Sequence, residues 1–233
     1  MKFTDLIASA AIILVILLFT MVPASIPAFG EFAQAHAFAM SFLKFAFLGT
    51  LGEMVALRIA TSRYTHSAFG LMPRFLVWGC IGLVIHTAFI IYATGTPNFL
   101  MGLGFSLPAD ALIQGSFLTR LGLAFSISAL MNILFAPLFM LAHGVVSMHI
   151  EKTGGSLLGF FSPINISQLL SDIDWKMVWG FVFKKTIPFF WIPAHTITFM
   201  LPSGLRVLFA AALGIVLGVI LAMASLKRNE APA

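Results

Sequence analysis

The sequence predicts an all-α, polytopic transmembrane bundle of about six membrane segments, on three observations. Hydrophobic residues make up 60% of the 233-residue chain and charged residues only 9%, against the ~45 to 50% apolar content of a soluble domain. The apolar positions fall in continuous runs rather than in alternation, which excludes a barrel. Lipid supplies no hydrogen-bond partners to an open strand edge, so the spanning elements are helices of about 20 residues each.

The first run, Leu6 to Val22, follows Lys2 and is longer than the ~7 to 15 residues of a signal-peptide core. It reads as an uncleaved first helix that turns at Pro23 and Pro27, although Ala35-His36-Ala37 offers a small-residue cleavage site. The next spans read as Ala33 to Ile59, Arg74 to Ala93 and Phe117 to Ser147, followed by a Pro-interrupted stretch from Phe183 to Leu201 and a last span from Leu205 to Ser225. The fifth is the short one, with about 16 residues between Lys185 and Pro202, less than a comfortable crossing. Residues 1–233 form a single integral membrane domain on this reading, with connecting loops at 94–115 and 151–175. The first loop is marked by Pro97, Gly102, Gly104 and Pro108, and the second mixes apolar and polar residues in a way that suits an interfacial helix.

The net charge is +5, yet the basic residues are scattered between apolar segments, which argues against nucleic acid as a partner and for membrane topology. With the amino terminus inside, Lys2, Arg58, Arg63, Arg74, Lys152, Lys176, Lys184, Lys185, Lys227 and Arg228 share the cytoplasm-like side. Arg120 and Arg206 fall at the opposite ends of spans and Lys44 within one, the asymmetry that the positive-inside rule requires. An even number of spans returns the carboxyl terminus to the same side, so both termini are expected to be cytoplasmic.

Ionisable groups at membrane depth are costly, by ~2.5 kcal/mol or more on insertion scales, and therefore mark pathways or buried partners. Lys44 and Glu53 lie nine residues apart on one helix, on opposite faces, and cannot pair with each other. Glu53 is open to two readings, an ion-paired structural residue or part of a water-lined path. His86, Asn132, His195 and Arg206 join them as candidate pore-lining or polar-core residues. Arg206 follows Pro202 at a helix start, an unfavourable place for a cation, so a carboxylate, a carbonyl or a lipid phosphate should compensate it.

No two histidines show the four-residue spacing that places two ligands on one helical face, and there is no nucleophile elbow, phosphate loop or paired-Cys motif, Cys80 being the only cysteine. No metal, cofactor or catalytic residue is expected and the chain does not read as an enzyme; a membrane enzyme or haem protein that draws His86, His143 and His195 from separate helices is the least favoured alternative. In the last span Ala210, Gly214, Gly218 and Ala222 recur every fourth residue on one face. Such a stripe lets backbones approach closely, as a seam within the bundle or between two copies of the chain.

The most specific pattern is Trp191-Ile192-Pro193-Ala194-His195-Thr196-Ile197-Thr198-Phe199-Met200-Leu201-Pro202-Ser203-Gly204-Leu205-Arg206. It resembles the signature of the family of Mpv-seventeen and the small (twenty-two kilodalton) peroxisomal membrane protein, through Trp191, Pro193, Phe199, Pro202 and Arg206. His195 stands where that family usually has Gln, and Thr198 where it has Asn. Leu51-Gly52-Glu53, Arg74 with Gly79 and His86, and Phe135-Ala136-Pro137 are similar to its earlier blocks, with Met131-Asn132 in place of an acid-led pair. The resemblance spans Leu51 to Ala224. It implies a four-helix core with additions, and a passive conduit or homeostasis role. The polar groups at membrane depth point to a channel or carrier for small polar solutes, and the small-residue stripe to the alternative, a non-transporting structural or assembly protein. No Arg-rich transit peptide precedes the first span, so the expected location is a bacterial inner membrane, with an organelle membrane as the alternative.

Overall fold

The computed structural model describes residues 3–108 and 110–230. Lys2 and the side chains of Lys227 and Arg228, assigned above to the inner side, lie outside the described residues. The protein is all-helical, with 84% of its residues in helices and no strand among those described. In order, the helices are α1 (Phe3–Ser25), α2 (Pro27–Ala35), α3 (Ala37–Thr61), α4 (Leu71–Gly102), α5 (Ala111–Gln114), α6 (Phe117–Leu134) and α7 (Ala136–Lys152). There follow α8 (Leu157–Phe160), α9 (Ile166–Ser171), α10 (Trp175–Met177), a π-helical segment (Val178–Trp191), α11 (Ile192–Met200) and α12 (Ser203–Glu230). Five of them, α1, α3, α4, α6 and α12, carry stretches long and apolar enough to cross a membrane. The protein is therefore an integral membrane protein whose apolar helices contact the bilayer.

Several expected boundaries move, each for a local reason. The run from Ala33 to Ile59 is broken at His36, which separates α2 from α3. The expected loop 94–115 begins later, because α4 continues through Pro97 to Gly102. A membrane helix tolerates the missing N–H of a proline, and here the Asn98 side chain donates to the Thr94 carbonyl at 3.1 Å beside it. The expected fourth span divides at Phe135 into α6 and α7. Pro137, at the second position of α7, has no N–H to give to the preceding turn. The Pro-interrupted fifth segment is helical from Trp175 to Met200. Its middle is wound with wider turns, in which the Ile192 N–H reaches the Ile187 carbonyl and Thr186 Oγ1 donates to the Phe181 carbonyl at 3.4 Å. The 151–175 connection carries two short helices, α8 and α9, capped by Ser156 and Asn165. Leu158 and Phe161 beside them are exposed, as at an interface with lipid.

Two compact units interleave along the chain. The first comprises Met1–Val84, Ile150–Ser162 and Val207–Ala233. Within it α3 and α4 pack at glycines: a side chain at Gly49 would run into Trp78, and one at Gly82 into the Ser41 carbonyl. The same logic joins α3 to α12, where a Cβ on Gly218 would lie 3.4 Å from Ala56 Cβ and one on Gly52 would lie 3.2 Å from the Ile215 Cα. Gly218 of the small-residue stripe thus faces α3 of its own chain, and Ala210 and Ala222 are buried. Gly214 has open space at its Cβ position. α1 buries only Phe19 among its described side chains and leaves Leu6, Ile7, Ile13, Leu14, Leu17, Leu18 and Met21 on its surface.

The second unit comprises Ile85–His149 and Pro163–Arg206. Its centre is the pairing of α6 with α11, packed through Leu123, Ala124, Ile127 and Met131 on one helix and Ala194 and Phe199 on the other. Phe199 is fully buried and its ring meets that of Phe89 at 5.1 Å.

The glycine contacts give a direct expectation. Gly218→Leu overfills the α3–α12 seam and should lower the stability of the purified protein by ~1 to 3 kcal/mol, whereas Gly214→Leu should leave the thermal midpoint in detergent nearly unchanged. Equal losses in the two variants would contradict the packing described.

Candidate functional site

Among the described residues the most highly charged cluster sits in the first unit around Arg74, in the first turn of α4. Its side chain is 8% exposed and every guanidinium nitrogen has a partner. Nε donates to the Phe69 carbonyl at 2.6 Å, Nη1 to Glu53 Oε2, and Nη2 to Glu151 Oε1 at 2.8 Å. The Phe69 ring lies beneath the cation at 4.7 Å. Glu53 comes from the second half of α3 and Glu151 from the last turn of α7, so one cation gathers two helices and the turn that precedes its own.

That turn is held by backbone contact. Gly70 and Gly155 both have positive φ, at +68° and +69°. A Cβ on Gly155 would lie 2.6 Å from the Gly70 nitrogen, so no side chain fits between them. The Thr153-Gly154-Gly155-Ser156 stretch closes α7 through the Gly155 N–H to the Ile150 carbonyl at 2.8 Å. A second ion pair lies in the same unit. Arg58 forks onto Asp5 at 2.8 and 3.3 Å, the Tyr64 hydroxyl donates to the same carboxylate at 2.9 Å, and Arg58 Nη1 donates to the Ser62 carbonyl.

The second unit contains a polar core without carboxylates. Ser128 and Asn132 lie one turn apart on α6 and are 0% and 2% exposed. Ser128 Oγ donates to the Ile192 carbonyl of α11 at 2.7 Å, and Asn132 Nδ2 donates to the Ser128 carbonyl at 2.9 Å. On α11 the buried His195 ring stacks on Trp191 at 5.2 Å and meets the edge of Phe89 at 5.6 Å. Its Nδ1 lies 3.5 Å from Thr198 Oγ1, which itself donates to the Ala194 carbonyl at 2.9 Å. The buried Trp191 Nε1 has no hydrogen-bond partner among the described residues. Hydroxyl, amide and imidazole groups thus share one helix pair at the centre of an apolar unit.

Two arginines occupy the carboxyl end of α11. Arg206, from the first turn of α12, reaches back and donates from Nε to the Leu201 carbonyl at 3.0 Å and from Nη2 to the Phe199 carbonyl at 3.1 Å. Arg120, from the first turn of α6, donates from Nη2 to the Met200 carbonyl at 3.4 Å and from Nε to the Leu112 carbonyl at 3.0 Å. The compensation expected for Arg206 comes from carbonyls, at a helix end whose dipole attracts cations.

The candidates from sequence therefore separate. Asn132 and His195 lie on opposite members of the α6–α11 pair, Asn132 bonded to Ser128 and His195 flanked by Thr198 and Trp191 of the signature. Glu53 belongs to the Arg74 cluster. Lys44 stands half-buried on α3 with Nζ 5.9 Å from the centre of the Phe19 ring, on another face from Glu53. His86 is half-buried on α4, and Arg206 caps α11. Pro193 and Pro202 flank α11, at its second residue and just beyond its end, while Phe135, Ala136 and Pro137 form the α6–α7 joint. The residues missed from sequence are Glu151, Arg120, Ser128 and Asp5. For Glu151 a signal existed: Arg74 and Lys152 are both assigned to the inner side, so a carboxylate beside Lys152 lies at the right depth for Arg74.

Among the described residues no three His, Cys, Asp or Glu side chains are grouped so as to hold a metal ion. No family model, curated protein or solved structure matches this chain.

Removing one partner from a buried ion pair leaves the other charge stranded, at ~3 to 5 kcal/mol, whereas exposed pairs contribute ~1 kcal/mol or less. Side-chain exposure is 8% at Arg74, 20% at Glu53 and 53% at Glu151. Unfolding of Arg74→Gln should therefore show the largest loss, Glu53→Gln an intermediate one and Glu151→Gln the smallest. A ranking that placed Glu151→Gln first would show that the cluster is held differently.

Proposed function

We propose that this protein is a conduit for small polar solutes across its membrane, in line with its resemblance to the Mpv-seventeen family, and that it performs no catalysis. The observation that carries the reading is the polar core of the second unit. Ser128, Asn132, His195, Thr196 and Thr198 are each 7% exposed or less within two largely apolar helices. Polar groups at membrane depth are tolerated when they pair with one another or line a path, and hydroxyl, amide and imidazole groups offer a passing solute both donors and acceptors. Exchange of hydrogen bonds between these groups and a solute replaces those that it loses with water. The ordinary partners of Ser128 and Thr198 are backbone carbonyls, which leaves the arrangement uncharged and suits neutral or weakly polar cargo.

The Arg74 cluster serves as a fixed clamp at one end of the first unit. On this reading it holds the helix ends in register, and the second unit carries the passage. The start of α1 at Asp5, the end of α3 at Arg58 and the start of α4 at Arg74 meet the same end of that unit, and the middle of α12, at Ile215 and Gly218, packs on Gly52 and Ala56. This supports both termini on one side, cytoplasmic by the positive-inside rule. Gly214, whose Cβ position is open, leaves room for a second copy of the chain to approach α12.

The test is solute release from liposomes that contain the purified protein. Sugars and neutral amides should leave faster than from empty liposomes, and Asn132→Leu and His195→Leu should each reduce the rate severalfold while the protein stays folded. Release at the empty-liposome rate under voltage and pH steps would end the conduit reading.

A further inference from the structure

Four arginines of the described chain make side-chain contacts, and they divide into two kinds. Arg58 and Arg74 have a partner on every guanidinium nitrogen, carboxylates among them. Among the described residues Arg120 and Arg206 have only backbone carbonyls, on Nε and Nη2, and neither forms an ion pair. A carbonyl satisfies a hydrogen bond but carries no net charge, so each of these cations keeps its full formal charge. On each of them Nη1, with its two N–H donors, has no protein partner among the described residues.

The two side chains are also held in place. Arg206 spans the Phe199 and Leu201 carbonyls with its guanidinium 5.7 Å from the Phe199 ring, and Arg120 takes the Met200 carbonyl between them. Three successive carbonyls at the end of α11 therefore anchor two guanidinium groups, so little side-chain entropy remains to be lost on binding a ligand. Asp110 is the sole carboxylate of the 85–149 stretch, and it pairs with neither arginine. Close to them in sequence, Ile113, Phe117, Leu118 and Leu205 are 74%, 66%, 76% and 42% exposed, so the helix ends that carry the cations have an apolar margin.

We propose that Arg120 and Arg206, clamped on the last carbonyls of α11, form a binding site for the phosphate of an anionic phospholipid. The two free Nη1 groups donate to phosphate oxygens in the planar geometry that guanidinium matches best. Meanwhile Phe117, Leu118 and Leu205 lie against the acyl chains. Free phosphate shares the headgroup chemistry, but it makes no use of the exposed apolar margin, which favours the lipid. The inference is independent of the conduit reading, since it needs only that the second unit resides in a bilayer.

The experiment is native mass spectrometry of the full chain in neutral detergent, titrated with phosphatidylglycerol or phosphatidylcholine. The wild-type protein should hold phosphatidylglycerol roughly tenfold more tightly, the scale of one hydrogen bond to a charged group, and the preference should shrink with rising salt. Arg120→Gln combined with Arg206→Gln should bring the two lipids to parity, and Arg63→Gln, at an exposed arginine outside the site, should change nothing. Should the double Gln variant fail to fold, Arg120→Lys with Arg206→Lys keeps the charge without the planar fork and should show a reduced preference that exceeds parity. Equal retention of the two lipids by the wild-type protein, or an undiminished preference in the Gln or Lys variant, overturns the proposal. So does displacement of phosphatidylglycerol by inorganic phosphate at matching concentration, which would assign the site to the free anion.

Discussion

A guanidinium withdrawn from water in a membrane protein has to be neutralised by the protein itself, and at Arg74 that requirement organises the first unit. The single side chain draws on α3 through Glu53, on α7 through Glu151, and on the preceding turn through the Phe69 carbonyl and ring. Helix packing in lipid lacks the hydrophobic drive available in water, so small-residue seams allow approach without fixing how far one helix slides along another. A buried ion pair supplies that missing coordinate, the registry role best attested for such groups. Asp5 and Arg58 repeat the device for α1, whose surface otherwise makes few buried contacts.

The second unit satisfies its buried polar groups with neutral partners. Hydroxyls and amides bond to carbonyls one turn away or across the α6–α11 contact, and the cations at the end of α11 take carbonyls as well. The two units therefore differ in how their polar groups are held. One is locked by full charges, and the other is held by dipoles that can trade partners at smaller expense. The wide turns of Val178–Trp191 lead directly into this region, in keeping with the tendency of π-type winding to occur near functional positions.

The all-α class and the existence of the major segments were legible because uninterrupted apolar runs have no other stable form in lipid. Where helices break was less so. Pro137 marks a joint, yet Pro23 and Pro97 lie inside helices, because a proline's missing N–H ends a helix only where nothing else favours continuation. His36 carries no comparable warning in its residue type. Glu53 stood open between two environments, since its partner lies 21 residues further on and its depth follows from how two spans fold back. The stripe at Ala210, Gly214, Gly218 and Ala222 named a face of α12, but residue size cannot say which neighbour occupies it. Arg206 is instructive in another way. Its need for compensation followed from helix electrostatics, while the choice among carboxylate, carbonyl and lipid required the backbone path of α11.

The backbone contact between Gly70 and Gly155 bears on where this chain tolerates changes in length. Two left-handed residues touch there with no side chain between them, so the turn before α4 and the turn after α7 have become one joint. An inserted or deleted residue in either turn would shift its glycine off the other and carry Arg74 or Glu151 with it. The segment around Gly102 and Gly104 has open space on all sides of the missing Cβ atoms. Epitope tags, fluorophores and natural insertions belong in that segment, where added chain incurs little beyond the slow rise of loop entropy.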